Sequence, residues 1–182
     1  MKYLLLLHLL CYGMITSAQP LDSIQSELER YYLSGLKIRS EVMKTLQTFG
    51  EHSPEMKVLN KQISSSDSVA LTYVLAILNQ YGWLGTSVIG EQANHCLFLT
   101  IQHATNPAIR QQYFPLLAAS CEEKESAPWM MATLLDRILV ESGQPQRYGT
   151  QSHWVAGELI PYPIQDAEHV NKRRKKVGLP SL

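Results

Sequence analysis

The sequence predicts a mainly α protein, five or six helices with one short β-hairpin near the C-terminus. Three observations predict it. Apolar residues recur at three-four spacing through most of the chain between Leu21 and Leu139. Helix punctuation falls between the periodic stretches, at Gly82, Asn106–Pro107 and Gly143. Helical periodicity disappears only from Gln146 to Tyr162, where two short runs flank Ala156–Gly157.

The first helical stretch places Leu21, Ile24, Leu28, Tyr31, Ile38, Val42, Leu46 and Phe49 on one seam, with Asp22 as N-cap and Gly35 as an expected break. "GEHSPE" is a loop. A second helix is expected from a Ser66 or Asp67 cap to Gly82, packing through Val69, Tyr73, Val74, Ile77 and Leu78. "LGTSVIG" reads as a loop, and a third helix follows Gly90. Asn106 caps a fourth, with Pro107 at its first position and a kink or restart expected at Pro115. Ser126 and Pro128 open a fifth, whose Met131, Leu134, Leu135, Ile138 and Leu139 form the cleanest apolar stripe in the chain. "QRYGTQ" (Gln146 to Gln151) poses a choice between a polar loop and a first hairpin strand. Gly149 at its centre suggests a close backbone approach, which favours a strand laid against helices. Asp166 caps a last helix that runs to Val177.

Residues 1–18 stand apart. Lys2, an apolar run from Tyr3 to Ile15, and Thr16–Ser17–Ala18 read as a secretory signal peptide, and residues 19–182 as a single helical domain. Cleavage after Ala18 would leave Gln19 first. The apolar run is shorter than the ~20 residues a membrane span needs. "HLLC" lacks the small residue that a lipoprotein signal carries before its cysteine. The expected location is therefore exported, periplasmic or extracellular, with no membrane span. Without Lys2 the chain has 15 basic and 16 acidic residues, and five of the basic ones are Lys172 to Lys176. That basic helix is expected to fold back onto the acidic remainder, anchored by Val177, Leu179 and Leu182. One basic run in an exported chain gives no nucleic-acid footprint. An oxidising compartment permits a Cys96–Cys121 disulfide, although both positions also suit buried thiols.

Residues with chemical potential gather on three elements. On the third helix Glu91, His95 and Gln102 share a side, and His103 flanks Cys96. A polar stripe on so apolar a helix must be paired inside or face a pocket. His95 and His103 are eight residues and about 100° apart, too far around the helix to share an ion, so no metal site is expected. No cofactor is expected either: "GWLGTSVIG" lacks the phosphate-loop lysine and matches no nucleophile elbow. Asp136 and Arg137 lie off the stripe of the fifth helix, as a surface ion pair or as a brace for the hairpin. Tyr148 and Gln151 are candidate ligand contacts.

The segments "YGW", "VIGEQANHCLFLTIQHA", "YFPLL", "LLDRILVESGQPQRYGTQ" and "PYPIQDAEHVNKRRKKVGLPSL" together resemble a bacterial domain-of-unknown-function family, number 6624, from about Asn79 to Leu182. The shared elements fall on Gly82, Trp83, Gly90, Gln102, His103, Asp136, Arg137, Gly143, Gln146, Tyr148, Gly149, Thr150, Gln151, Asp166, Arg173, Arg174, Gly178 and Leu179. The resemblance implies no activity. It implies that "QHA", "DR" and "YGTQ" meet in space. Three readings follow. One is an exported binding or interaction module with an unknown ligand or protein partner, contacted through Gln102, Arg137, Tyr148 and Gln151. The second is a hydrolase with His103 or His95 as base and Asp136 as its orienter. In the third, the motifs lock the C-terminal region onto the helices.

Overall fold

The computed structural model describes residues 20–155 and 158–182. The expected signal peptide, its cleavage point at Gln19 and the Ala156–Gly157 turn lie outside them. In chain order the elements are α1 (Leu21–Ser40), α2 (Val42–Phe49), α3 (Pro54–Tyr81), α4 (Thr86–Gln102), α5 (Pro107–Glu122), α6 (Pro128–Glu141), β1 (Ser152–Val155), β2 (Glu158–Pro161), a 3-10 turn (Ala167–His169) and α7 (Val170–Lys176). The chain is mainly helical with one antiparallel hairpin near the C-terminus, as its periodicity predicts.

Helix α4 is the centre of the core. Ile89, Ala93, Cys96, Leu97, Phe98 and Ile101 are buried on it, against Ile24 and Leu28 of α1, Val74 and Ile77 of α3, Leu117 of α5 and Leu134 of α6. Each large apolar side chain so enclosed stabilises the fold by up to about 1.5–3 kcal/mol. Of the α6 stripe, Leu134 is buried in this core with Met131 and Ile138 packed against it, and Met130 from outside the stripe joins them. Leu135 packs on a small second cluster of Ala132, Tyr148 and Val177.

Several boundaries differ from expectation, each for a local reason. Helix α1 runs through Gly35 to Ser40, and the break comes at Glu41. A glycine costs only about 1 kcal/mol in a helix, and a Cβ at Gly35 would stand 3.3 Å from Arg39 Nη1. The N-cap position of α1 is occupied by Pro20, not Asp22. Helix α3 begins twelve residues before the expected Ser66 cap. Ser53 Oγ accepts from Met56 N–H (3.1 Å), and Pro54 supplies the first turn. Met56 and Leu59 are buried there, so packing carries the helix upstream through a weakly periodic stretch. "LGTSVIG" is not a loop throughout: Thr86 to Ile89 is helical, merged with α4 across a kink at Gly90 (φ 74°), and Ile89 is fully buried. Helix α5 is not interrupted at Pro115. The carbonyl that loses its partner there is that of Gln111, an exposed residue on the solvent side of the helix. Asn106 Oδ1 does cap α5, accepting from Ala108 N–H (3.0 Å). Cys96 and Cys121 are both free, buried thiols.

"QRYGTQ" is not a strand. The hairpin begins one residue beyond it, pairing His153 with Ile160 and Trp154 with Leu159. Gly149 at φ 70° takes the backbone out of the extended region, and the amides of the stretch turn inward. Only Gln146 makes a bridge, a parallel one to Ile164. Among the described residues no helix is long and apolar enough to cross a membrane.

Candidate functional site

The inward-turned amides converge on one carboxylate. Asp136 projects from α6 and is fully buried. Its Oδ1 accepts from Arg147 N–H (2.7 Å) and Tyr148 N–H (3.0 Å), and its Oδ2 from Thr150 N–H (3.0 Å) and Thr150 Oγ1–H (2.9 Å). Neighbouring N–H groups aimed at one point form an anion-binding nest, and here the anion is the protein's own side chain. The loop thus satisfies the buried carboxylate, and the carboxylate holds the loop in a conformation that makes no ladder.

Gln146, also fully buried, ties the hairpin to this loop. Its Nε2 donates to the carbonyls of Gln151 (2.9 Å) and Tyr162 (2.8 Å), and its Oε1 accepts from Gln151 N–H (2.8 Å). One side chain therefore grips both feet of a hairpin whose Trp154, Val155, Leu159 and Ile160 are exposed. A two-stranded ribbon with so little burial is marginal alone, and Gln146 is what fixes its base. The C-terminal helix closes the assembly. Arg174 Nη1 donates to the carbonyls of Tyr148 (2.7 Å) and Gly149 (3.2 Å), and its Nε donates to Pro180 O. Arg173 Nε donates to Arg147 O (2.9 Å).

The basic helix does fold back, but chiefly onto carbonyl oxygens. Its carboxylate contact is Asp166, whose Oδ2 accepts from Arg173 (3.1 Å). Asp166 does not cap the helix backbone. It sits at φ 46° and spends Oδ1 on His169 Nδ1 (2.8 Å). Val177 and Leu179 are anchors as expected, whereas Leu182 is 62% exposed.

The remaining candidates lie elsewhere. Tyr148 and Gln151 join Asp136, and Gln151 Nε2 reaches Thr150 Oγ1 (3.0 Å). Arg137 lies on the surface and pairs with Glu141 (3.0 Å). Glu141 also receives Arg110 (2.6 Å), a guanidinium only 2% exposed that donates to the carbonyls of Gln102 and Ala104 at the end of α4. Gln102 is buried, and its Oε1 has no hydrogen-bond partner. "DR" and "YGTQ" meet through Asp136. "QHA" meets Arg110 instead.

His95 sits among rings, 5.2 Å from Tyr32, 6.0 Å from Phe98 and 5.3 Å from Trp129 between centroids. His103 follows α4 and faces a cleft between α1, α3 and α4. The cleft has a narrow lobe of about 40 Å³ and a larger one of about 350 Å³, and Asp67, Thr100 and His103 line both. Asp67 accepts from Arg39 Nη2 at both oxygens (2.8 Å each). Among the described residues no three acidic, histidine or cysteine side chains are grouped to hold a metal ion.

Periodicity concealed several of these residues. Arg110, Asp67 and Arg39 look like ordinary solvated charges, and Gln146 and Arg174 stand in polar stretches. Asn94 was legible in principle as an amide on an apolar helix. It is buried and donates to Leu84 O (2.9 Å) and Ser126 Oγ (3.0 Å).

Both histidines are held below the usual imidazole value. Burial does so for His95. For His103, whose surface is exposed at the cleft, desolvation by the surrounding protein leads, then Arg39, with Asp67 opposing and Arg137 and Arg110 adding smaller contributions. A depressed histidine binds its proton more weakly in the folded state than in the unfolded one. Above the unfolded value of about 6.5 both states are neutral and nothing is lost. As pH falls below it the unfolded chain protonates first, and stability declines until the folded values are passed. Unfolding by urea at about pH 7.5 and about pH 5.5 should show this decline. The double variant His95→Gln/His103→Gln should show a smaller one, and equal declines would refute the assignment.

A family model matches residues 27–182. The chain belongs to a family of unknown function (DUF6624). The family match reaches well upstream of the motifs and takes in most of α1, α2 and α3, so it covers both the Asp136 network and the cleft. No curated protein and no solved structure matches the chain.

Proposed function

We propose that this is an exported binding module whose ligand site is the cleft at Arg39, Asp67 and His103. Export rests on the pattern of residues 1–18, a short basic start, an apolar run and small residues before Gln19. The observation that carries the site is a contrast in how polar groups are used. Asp136, Gln146 and Arg174 spend their polar atoms on backbone partners, as a lock does. Among the described residues the side chains of Asn60, Ser64, Ser68, Thr105 and His103 line the cleft and spend no hydrogen bond on the fold. Clefts of roughly 300–1,000 Å³ with a few unspent polar groups are where small molecules bind. A hydrolase built on a histidine and Asp136 draws no support from this geometry, because that carboxylate is filled by four donors.

The test is thermal unfolding of the mature protein against small polar molecules of four classes: anions, cations, zwitterions and neutral polyols. A ligand selective for the folded state raises Tm with its concentration. At least one class should do so, and Ser64→Trp, which fills the larger lobe from an exposed position, should abolish the effect. A flat response in all four classes would overturn the reading, as would stabilisation that survives the filled cleft. Intact mass of the protein recovered outside the cytoplasm should correspond to a chain starting at Gln19.

A further inference from the structure

The class of ligand follows from the charge and hydrogen-bond inventory of the cleft, on the premise that the cleft is a binding site. We infer that it takes a neutral, polyhydroxylated molecule, a saccharide. The charged groups that line it are Arg39 and Asp67, and they neutralise one another at 2.8 Å. An anion would have to take Arg39 from Asp67, and a cation the reverse. Either exchange gives up the pair already formed, so a charged ligand gains only the difference between two partly exposed ion pairs.

The other polar groups are uncharged. Asn60, Ser64, Ser66, Ser68, Thr100 and Thr105 bring five hydroxyls and one amide to the two lobes. Each of these both donates and accepts, and so does a sugar hydroxyl. Such groups match a ligand that also offers both roles at every position, where a carboxylate or an ammonium offers one. Other titratable neighbours keep the balance: desolvation and Arg39 shift His103 toward its neutral form, and burial pushes the Tyr31 hydroxyl up and the Cys96 thiol up to about 11.

Between the polar groups lie apolar ones. Ile63 and Leu71 line the larger lobe, and Leu36 and Leu99 the smaller, beside Tyr31 and Tyr32. In the larger lobe that alternation suits a pyranose, which has hydroxyls at its rim and C–H groups on its faces, and the narrow lobe admits only a substituent of the ring. The tyrosines are already fixed, Tyr31 against Tyr73 at 5.6 Å and Tyr32 against His95 at 5.2 Å between centroids. Preformed walls lower the ordering cost of binding. Serine and threonine also lose little side-chain entropy compared with the long charged residues that read ionic ligands.

The experiment is amide chemical-shift mapping of the ¹⁵N-labelled mature protein. Maltose and N,N′-diacetylchitobiose serve as neutral probes, with glucosamine as a cationic and glucuronate as an anionic counterpart, each titrated to ~10 mM. At least one neutral disaccharide should shift the amides of Asp67, Thr100, His103 and Thr105. Ser64→Trp should weaken that binding at least about tenfold, and the charged counterparts should bind at least about tenfold more weakly. If glucuronate or glucosamine shifts the same amides more strongly, the ligand class is wrong while the cleft remains a binding site. If no probe shifts them, the saccharide assignment falls, and the four-class panel then decides the fate of the cleft independently. A neutral disaccharide that maps to other amides overturns the assignment outright.

Discussion

Asp136→Ala will lower the unfolding free energy by about 3–5 kcal/mol, one of the largest effects expected of any single substitution in this chain. The carboxylate is fully buried and accepts from three backbone N–H groups and one hydroxyl. Alanine strands all four donors. A buried donor without a partner costs about 1–3 kcal/mol. The total stays below the sum because Arg147 is an exposed residue and Thr150 is only half-buried, so their groups are not all enclosed. The damage should also spread. With the amides released, Tyr148 leaves the cluster it forms with Ala132 and Val177, and the carbonyls that Arg174 holds lose their position. Asp136→Asn should be intermediate, since its amide oxygen can serve one or two N–H groups while its NH₂ confronts the others. Urea unfolding of the three proteins checks this. A loss below about 1 kcal/mol for alanine would mean that water replaces the carboxylate and that the loop does not depend on it.

The same residue shows what a single sequence exposes and what it conceals. The α6 stripe was legible because core contact imposes a 3.6-residue period, and Asp136 was legible as a residue off that stripe. Its burial was not. The surface that covers it is a segment eleven to fourteen residues away that has no period of its own. Gly149 signalled close approach correctly, yet the partner proved to be side chains and the conformation a nest, and a glycine in a pattern does not distinguish the two. Boundaries failed in the same way. Ser66 and Asp67 have the composition of a cap, but Met56 and Leu59 find burial upstream, and packing outweighs capping preferences of about 1 kcal/mol. The cleft was half legible. His103 drew attention through its position on the flank of α4, whereas Asp67 and Arg39 are 28 residues apart and become neighbours only when α1 and α3 are laid side by side.

Gly149→Val should cost about 3–4 kcal/mol, from two sources that can be separated. The first is conformational. At φ 70° a β-branched residue is strained wherever space is found for it, by about 1–3 kcal/mol. The second is steric. A Cβ here would lie 2.9 Å from Cδ1 of both Ile164 and Leu182, and forcing atoms into such contact costs about 1–3 kcal/mol. The two neighbours differ in their capacity to yield. Leu182 is 62% exposed, so it can swing away, while Ile164 is partly buried next to the Gln146 bridge. The backbone has little freedom to absorb the strain, because Arg174 grips the carbonyls of Tyr148 and Gly149, before and after the Gly149 Cα, and Asp136 holds the amides of Tyr148 and Thr150. Gly149→Ala shares the φ penalty and the first-atom clash without the branch, and should cost about 2 kcal/mol. Removing Leu182 from the Gly149→Ala variant relieves one steric contact and leaves the φ penalty untouched. Less than half of the alanine loss should therefore return. At about 2–4 °C per kcal/mol for a chain of this size, the valine variant should melt roughly 10 °C below the parent. A valine variant that melts within about 2 °C of the parent would show the nest relaxing without cost, and full recovery on removing Leu182 would assign the whole effect to one flexible side chain.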